Sequence, residues 1–207
     1  MVENMPNKIK QFLKALSSIF ITRSIKSDDI YLTFDDGPHE KHTSLLLTVL
    51  KKHNVKASFF LVGDQIESFP HIVNEIKEHG HTIGYHSRSH KHASESGFIE
   101  TLKDLDHAKH LEKKYKIQFN NLYRPPFGAL TVPVLIAILI KRWRIILWSK
   151  DSQDSYIDSI SVANEIASKN IKRGDIILLH DDYKETTNTI SLVLDNYKKS
   201  GLKLGTL

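Results

Sequence analysis

Two periodicities alternate along the chain. Short, nearly continuous apolar runs at residues 30–32, 57–63, 82–85, 122–124, 145–148 and 175–179 predict buried strands. Between them the apolar residues fall three and four apart, as at Leu45, Leu46, Val49 and Leu50, and predict helices near 45–50, 69–79, 97–115, 131–141, 159–171 and 187–199. A terminal strand is expected around 202–207. Strands apolar on both faces and separated by helices imply a parallel sheet covered by helices. Six or seven such units in 207 residues suit a barrel-like closure better than a wide open sheet, with the open sheet as the alternative. In both arrangements the ligand site belongs at the C-terminal ends of the strands.

Length allows one domain with a single substantial core, here residues 28–207, preceded by an extension over 1–27. In that extension Ile9, Phe12, Leu13, Leu16 and Phe20 share one face of an amphipathic helix, and Lys8, Lys10 and Lys14 precede its apolar end. Such a helix packs on the domain or associates weakly with a membrane surface. Its apolar run is far below the roughly 20 residues of a membrane span. It also lacks a convincing cleavage site for an export signal. The formal charge of +5 is spread among acidic residues without one long basic block, so nucleic acid is not implied as a partner. Because there is no cysteine, any metal must be held by His, Asp or Glu.

Five polar clusters carry the candidate chemistry, and each follows a separate expected strand. The first, Thr33-Phe34-Asp35-Asp36-Gly37-Pro38, puts adjacent carboxylates where a strand meets a forced turn, which allows one to hold a metal while the other handles a proton. The second contains His86 and His90, four apart, a spacing that in a helical turn presents both rings to one ion. In the third, Arg124-Pro125-Pro126-Phe127-Gly128, Arg124 could grip a carboxylate with two parallel bonds. Neither proline there has an N–H, so the next donor, the Phe127 amide, is rigidly held and suits an oxyanion. The fourth runs from Trp148 to Asp154. The fifth ends four buried aliphatics with His180-Asp181, where a nearby carboxylate would keep the imidazole protonated as a general acid. Taken singly, these have ordinary readings: a surface turn, a chance pair among twelve histidines, a proline-rich loop, a capping histidine. Their coincidence on one rim completes an inventory for metal-assisted hydrolysis.

In this order the clusters resemble those of the NodB-homology polysaccharide deacetylases, carbohydrate esterase family 4, from about Ile30 to the C-terminus. The resemblance implies a distorted, incomplete (β/α) barrel with mostly parallel strands. It also implies removal of N-acetyl, sometimes O-acetyl, groups from N-acetylglucosamine-containing chitooligosaccharide, peptidoglycan or surface polysaccharide. By the motifs, Asp35 is the general base; Asp36, His86 and His90 hold a divalent metal, Zn²⁺ foremost with Co²⁺ also suitable; and Arg124 orients the base. Phe127 offers its amide to the oxyanion, Leu178 lines the acetyl pocket, and His180, paired with Asp154, protonates the leaving amine. A work site at or outside the cell envelope is implied too, against a cytoplasmic one if the visible N-terminus is native. One departure stands out: Ser155 follows Asp154 where the family usually has a groove-lining Trp. That departure leaves open an amidase acting on a small non-sugar amide; a separate rival is a catalytically silent carbohydrate-binding module. Short connections between units predict a shallow, open groove.

Overall fold

A computed structural model describes residues 21–22, 25–156, 161 and 171–207. Its strands are β1 (Ile21–Thr22), β2 (Asp29–Asp35), β3 (Ser58–Leu61), β4 (Thr82–Tyr85), β5 (Leu122–Tyr123), β6 (Arg144–Ile146), β7 (Lys150–Asp151), β8 (Ile176–His180) and β9 (Lys203–Gly205). The helices are α1 (His42–Lys52), α2 (Gly63–Ser68), α3 (Pro70–Glu78), α4 (Phe98–Tyr115), α5 (Val132–Ile140) and α6 (Lys184–Ser200). Among the described residues the strands form one sheet in the order β1-β6-β5-β4-β3-β2-β8-β7, with β9 also on β2, and every pair is parallel. This is the expected incomplete barrel.

Strand alternation sorts the side chains into two layers. From β2, Ile30, Leu32 and Phe34 join the larger cluster, which also takes Leu46 and Leu50 of α1, Ile72 and Ile76 of α3, and Ile190 and Leu194 of α6. Tyr31 turns the other way and meets Phe60, Leu122, Ile146 and Ile176, with Ile25 and Leu207 against them. Strand residues alone supply the fully buried part of this second cluster, which marks it as the barrel interior. Full burial of a Leu or Phe is worth about 1.5–3 kcal/mol, so the outer cluster fixes which face of each strand is left for polar chemistry inside.

Several expectations are revised. The strand expected over 57–63 stops at Leu61, and Gly63 instead begins α2, a helix the apolar pattern did not suggest. The short strand β7 was also unexpected. Ile21 and Thr22, inside the supposed extension, pair with Ile145 and Ile146 of β6 and are part of the sheet. The helical face running from Ile9 to Phe20 lies outside the described residues, as does the helix expected over 159–171 apart from Ser161. No helix among the described residues is long and apolar enough to cross a membrane.

Candidate active site and metal centre

Inward alternation on β2 sends Thr33 and Asp35 into the barrel, both buried. Extended geometry would turn Asp36 to the opposite face, but its φ of 76° reverses the chain and brings it back to the same side. There Asp36 Oδ1 lies 3.2 Å from His86 Nε2 and 3.0 Å from His90 Nε2, while Asp35 Oδ2 is 3.7 Å from His86 Nε2. The two histidines are not on a helix, contrary to the spacing argument. Ser87 and His90 both have positive φ, 64° and 54°, and the His90 amide donates to Ser87 Oγ at 3.0 Å. The unexpected α2 secures this loop: the amides of Gly63 and Asp64 donate to the carbonyls of Ser87 and Arg88, each at 2.9 Å. A Cβ on Gly63 would approach Arg88 Cα to 3.1 Å, so the glycine permits the close packing.

The donor set fits a divalent cation. His86 Nδ1 is 2.7 Å from the Arg124 carbonyl, which can only accept, so Nδ1 carries the proton and Nε2 offers a lone pair to the site. One atom each from Asp36, His86 and His90 lie within 4.8 Å of one another. Asp36 Oδ1 is buried and, among the described residues, makes no hydrogen bond of acceptable geometry despite the two ring nitrogens beside it. Burial would raise the Asp36 pKa, but His86 and His90 hold the carboxyl well below the usual carboxylate range. Burial lowers and Asp36 raises the pKa of His90, with a net upward result.

Arg124 is entirely buried. Its grip on Asp35 is single, not the expected pair of parallel bonds: Nη1 donates to Asp35 Oδ1 at 2.7 Å and to Thr33 Oγ1 at 2.7 Å. Its other donors go to the Ile146 carbonyl at 3.1 Å and the Leu147 carbonyl at 3.4 Å, and the guanidinium stands 4.1 Å from the Phe60 ring centroid. Burial lowers the Arg124 pKa against the pull of Asp35. Thr33, whose own hydroxyl donates to the Ile177 carbonyl at 2.7 Å, was invisible as a site residue in the sequence.

On the opposite wall, the register Asp35↔His180 sets the last residues of β2 and β8 side by side. Pairing of β7 with β8 carries the following turn to His180. His180 Nδ1 is 2.7 Å from Asp154 Oδ1, and the His180 amide donates to Oδ2 at 2.8 Å. Ser152 Oγ donates to Oδ1 at 2.9 Å and Thr186 Oγ1 to Oδ2, so Asp154 is fully engaged. Burial lowers the His180 pKa, but Asp154 with the carboxylates of Asp35 and Asp36 pushes it up to about 9.

Asp35, Asp36, His86, His90 and His180 share one groove of about 680 Å³, lined also by Leu178, Phe127, Trp148, Tyr156 and Tyr183, with Arg124 and Asp154 held behind it on Asp35 and His180. Phe127 has a left-handed φ of 59° and an exposed ring 4.8 Å from that of His90. Ser155 stands at the rim where the family usually has tryptophan, with the largely exposed Tyr156 next to it. All the residues singled out from the five motifs are therefore brought together.

A family model described as polysaccharide deacetylase matches residues 22–139. A peptidoglycan-N-acetylglucosamine deacetylase of Bacillus cereus is 32% identical, over 91% of each chain. A chitooligosaccharide deacetylase of Azorhizobium caulinodans is 34% identical over 73% of each. The chain spans only 38% of the length of a 31% identical peptidoglycan-N-acetylglucosamine deacetylase of Listeria monocytogenes, while covering 86% of itself. Among solved structures, a peptidoglycan N-acetylglucosamine deacetylase superposes with a TM-score of 0.85 at 26% identity, covering 93% of this chain and 94% of that one. A carbohydrate esterase family 4 pseudoenzyme of Bacillus anthracis shares the fold, with a TM-score of 0.79 at 22% identity over 88% of this chain and 64% of that one. The chain belongs to the polysaccharide deacetylase family, carbohydrate esterase family 4, and is by that membership a hydrolase of carbohydrate N-acetyl groups.

Proposed function

We propose that this chain deacetylates N-acetylglucosamine-containing oligo- or polysaccharides, with Zn²⁺ held by Asp36, His86 and His90. The carrying observation is that this trio, Asp35 and the Asp154-braced His180 line one groove. A cation so held supplies positive charge that polarises an acetyl carbonyl and eases deprotonation of water. Asp35, oriented by Arg124, takes a proton from the water that attacks the carbonyl carbon. The Phe127 amide donates to the developing oxyanion. His180 delivers its proton to the nitrogen as the C–N bond breaks, releasing acetate and a free amine. Leu178 bounds the acetyl pocket, and the rings of Phe127, Tyr156 and Tyr183 offer faces for sugar.

The test is acetate release from a panel of N-acetylglucosamine oligomers and peptidoglycan by protein stripped of metal and resupplied with Zn²⁺ or Co²⁺. Metal-dependent release is expected. Stoichiometric metal binding with no release from any sugar would refute the proposal and favour the non-sugar amidase or the silent module.

A further inference from the structure

Behind the paired carboxylates lies a third that this chemistry leaves unused. Asp181 is fully buried, and its amide donates to the Asp35 carbonyl at 3.2 Å, carrying the β2–β8 ladder one residue past the strand ends. Its carboxyl Oδ2 accepts from Thr43 Oγ1 of α1 at 2.6 Å, and that hydroxyl accepts from the His39 amide at 2.8 Å. The carboxyl also lies against Gly37. A Cβ placed there would fall 2.1 and 2.2 Å from the two carboxyl oxygens, so the carboxyl lies directly against the glycine. From the other side the Val62 amide donates to the Gly37 carbonyl at 2.9 Å. The turn after Asp35 is thus clamped between the end of β3 and the Asp181 side chain. Asp36, whose left-handed backbone persists only while its surroundings hold it, is the residue that this clamp serves.

We propose that Asp181 is a positioning residue: its carboxyl, braced by Thr43, is the strut that keeps Gly37 in place so that Asp36 faces His86 and His90. The inference rests on the reading of Asp36 as a metal ligand. The strut acts as a neutral acid. Asp181 Oδ1 has no hydrogen-bond partner, and no cationic side chain pairs with the carboxyl among the described residues. Burial pushes its pKa up to about 8. A neutral acid there can be imitated by an amide of the same shape, whereas loss of the side chain leaves Gly37 unsupported.

Three variants of the full chain test this: Asp181→Ala, Thr43→Val and Asp181→Asn. Zinc affinity is read by competition with a chromophoric chelator, kcat and KM by acetate release, and folding by thermal midpoint. Asp181→Ala and Thr43→Val are expected to weaken zinc binding about tenfold or more and to lower kcat by a similar factor with KM within about twofold. Asp181→Asn, which keeps an acceptor for Thr43, is expected to restore both to within about threefold. Wild-type zinc affinity and kcat in folded Asp181→Ala and Thr43→Val would overturn the proposal, as would an Asn variant as damaged as Ala. Should Asp181→Ala fail to fold, Thr43→Val decides, since it removes the brace and keeps the carboxyl. A wild-type protein that binds zinc but releases no acetate defeats the deacetylase reading alone, and the zinc affinities still judge the strut.

Discussion

Asp154→Asn separates proton delivery from every other part of the site. Asp154 Oδ2 accepts from the His180 amide, which can only donate, and from the Thr186 hydroxyl, so the single oxygen of an asparagine is held at that position by the amide. Its NH₂ then faces His180 Nδ1, where Oδ1 stood 2.7 Å away. Nδ1 must become the acceptor, which leaves a neutral ring with its proton on Nε2 and no imidazolium to serve as acid. In the wild type the rise of the His180 pKa from 6.5 to about 9 corresponds to about 3 kcal/mol in favour of the charged ring. Because the folded value is raised, that stabilisation is fully present below pH 6.5 and fades as pH climbs through 9. The variant is therefore expected to be less stable than wild type at pH 6, by up to a few kcal/mol, with the gap narrowing toward pH 9. Turnover should fall by about 10²–10³ on an N-acetyl sugar, whose amine needs a proton to leave. On 4-nitrophenyl acetate, whose phenolate leaves unaided, the loss should stay within about threefold. Paired kinetics on the two substrates, with thermal melts at both pH values, make the measurement. Equal loss on both substrates would refute the acid role of His180, and a stability gap independent of pH would refute the electrostatic account of the pair.

Asp35→Asn should retain metal by elemental analysis yet lose at least about 10²-fold in kcat, whereas His86→Ala should lose metal and activity together; retained metal and activity in the His86 variant would sink the ligand assignment. Arg124→Met leaves the buried Asp35 carboxylate without its cation, a change worth about 3–5 kcal/mol of stability, or roughly a 10 °C lower thermal midpoint; a midpoint within 2 °C of wild type would show that Arg124 compensates no buried charge, about 1 kcal/mol being the resolution of that comparison. Tyr156→Ala removes an exposed ring at the groove rim; if a sugar buries about 40 Å² of that ring, worth about 1 kcal/mol, KM for a long oligomer should rise roughly fivefold with kcat kept, and an unchanged KM would remove Tyr156 from the sugar path.

What could be read from the chain divides along a physical line. Strand runs and helical spacing report burial, and burial decides layers, so the parallel sheet and its active rim were legible. The five clusters were legible because each sits at a strand end, where topology converts separation in sequence into one place. Backbone reversals were not. Asp36 and His90 come together through positive φ, which departs from strand alternation and from helical spacing alike, so the arguments from those regular geometries named residues that the fold gathers by another route. Also hidden were Thr33, Thr43, Ser152 and Thr186, single hydroxyls in strands, helices and turns, of types that occur everywhere on protein surfaces. Their importance comes from which buried ionisable group each one touches: Arg124, Asp181, or Asp154 for the last two. A charge must be prominent in sequence to do chemistry, but the groups that fix its position need only one hydrogen bond each. The chemistry of this site is therefore concentrated in motifs, while its precision is distributed over residues that carry no motif at all.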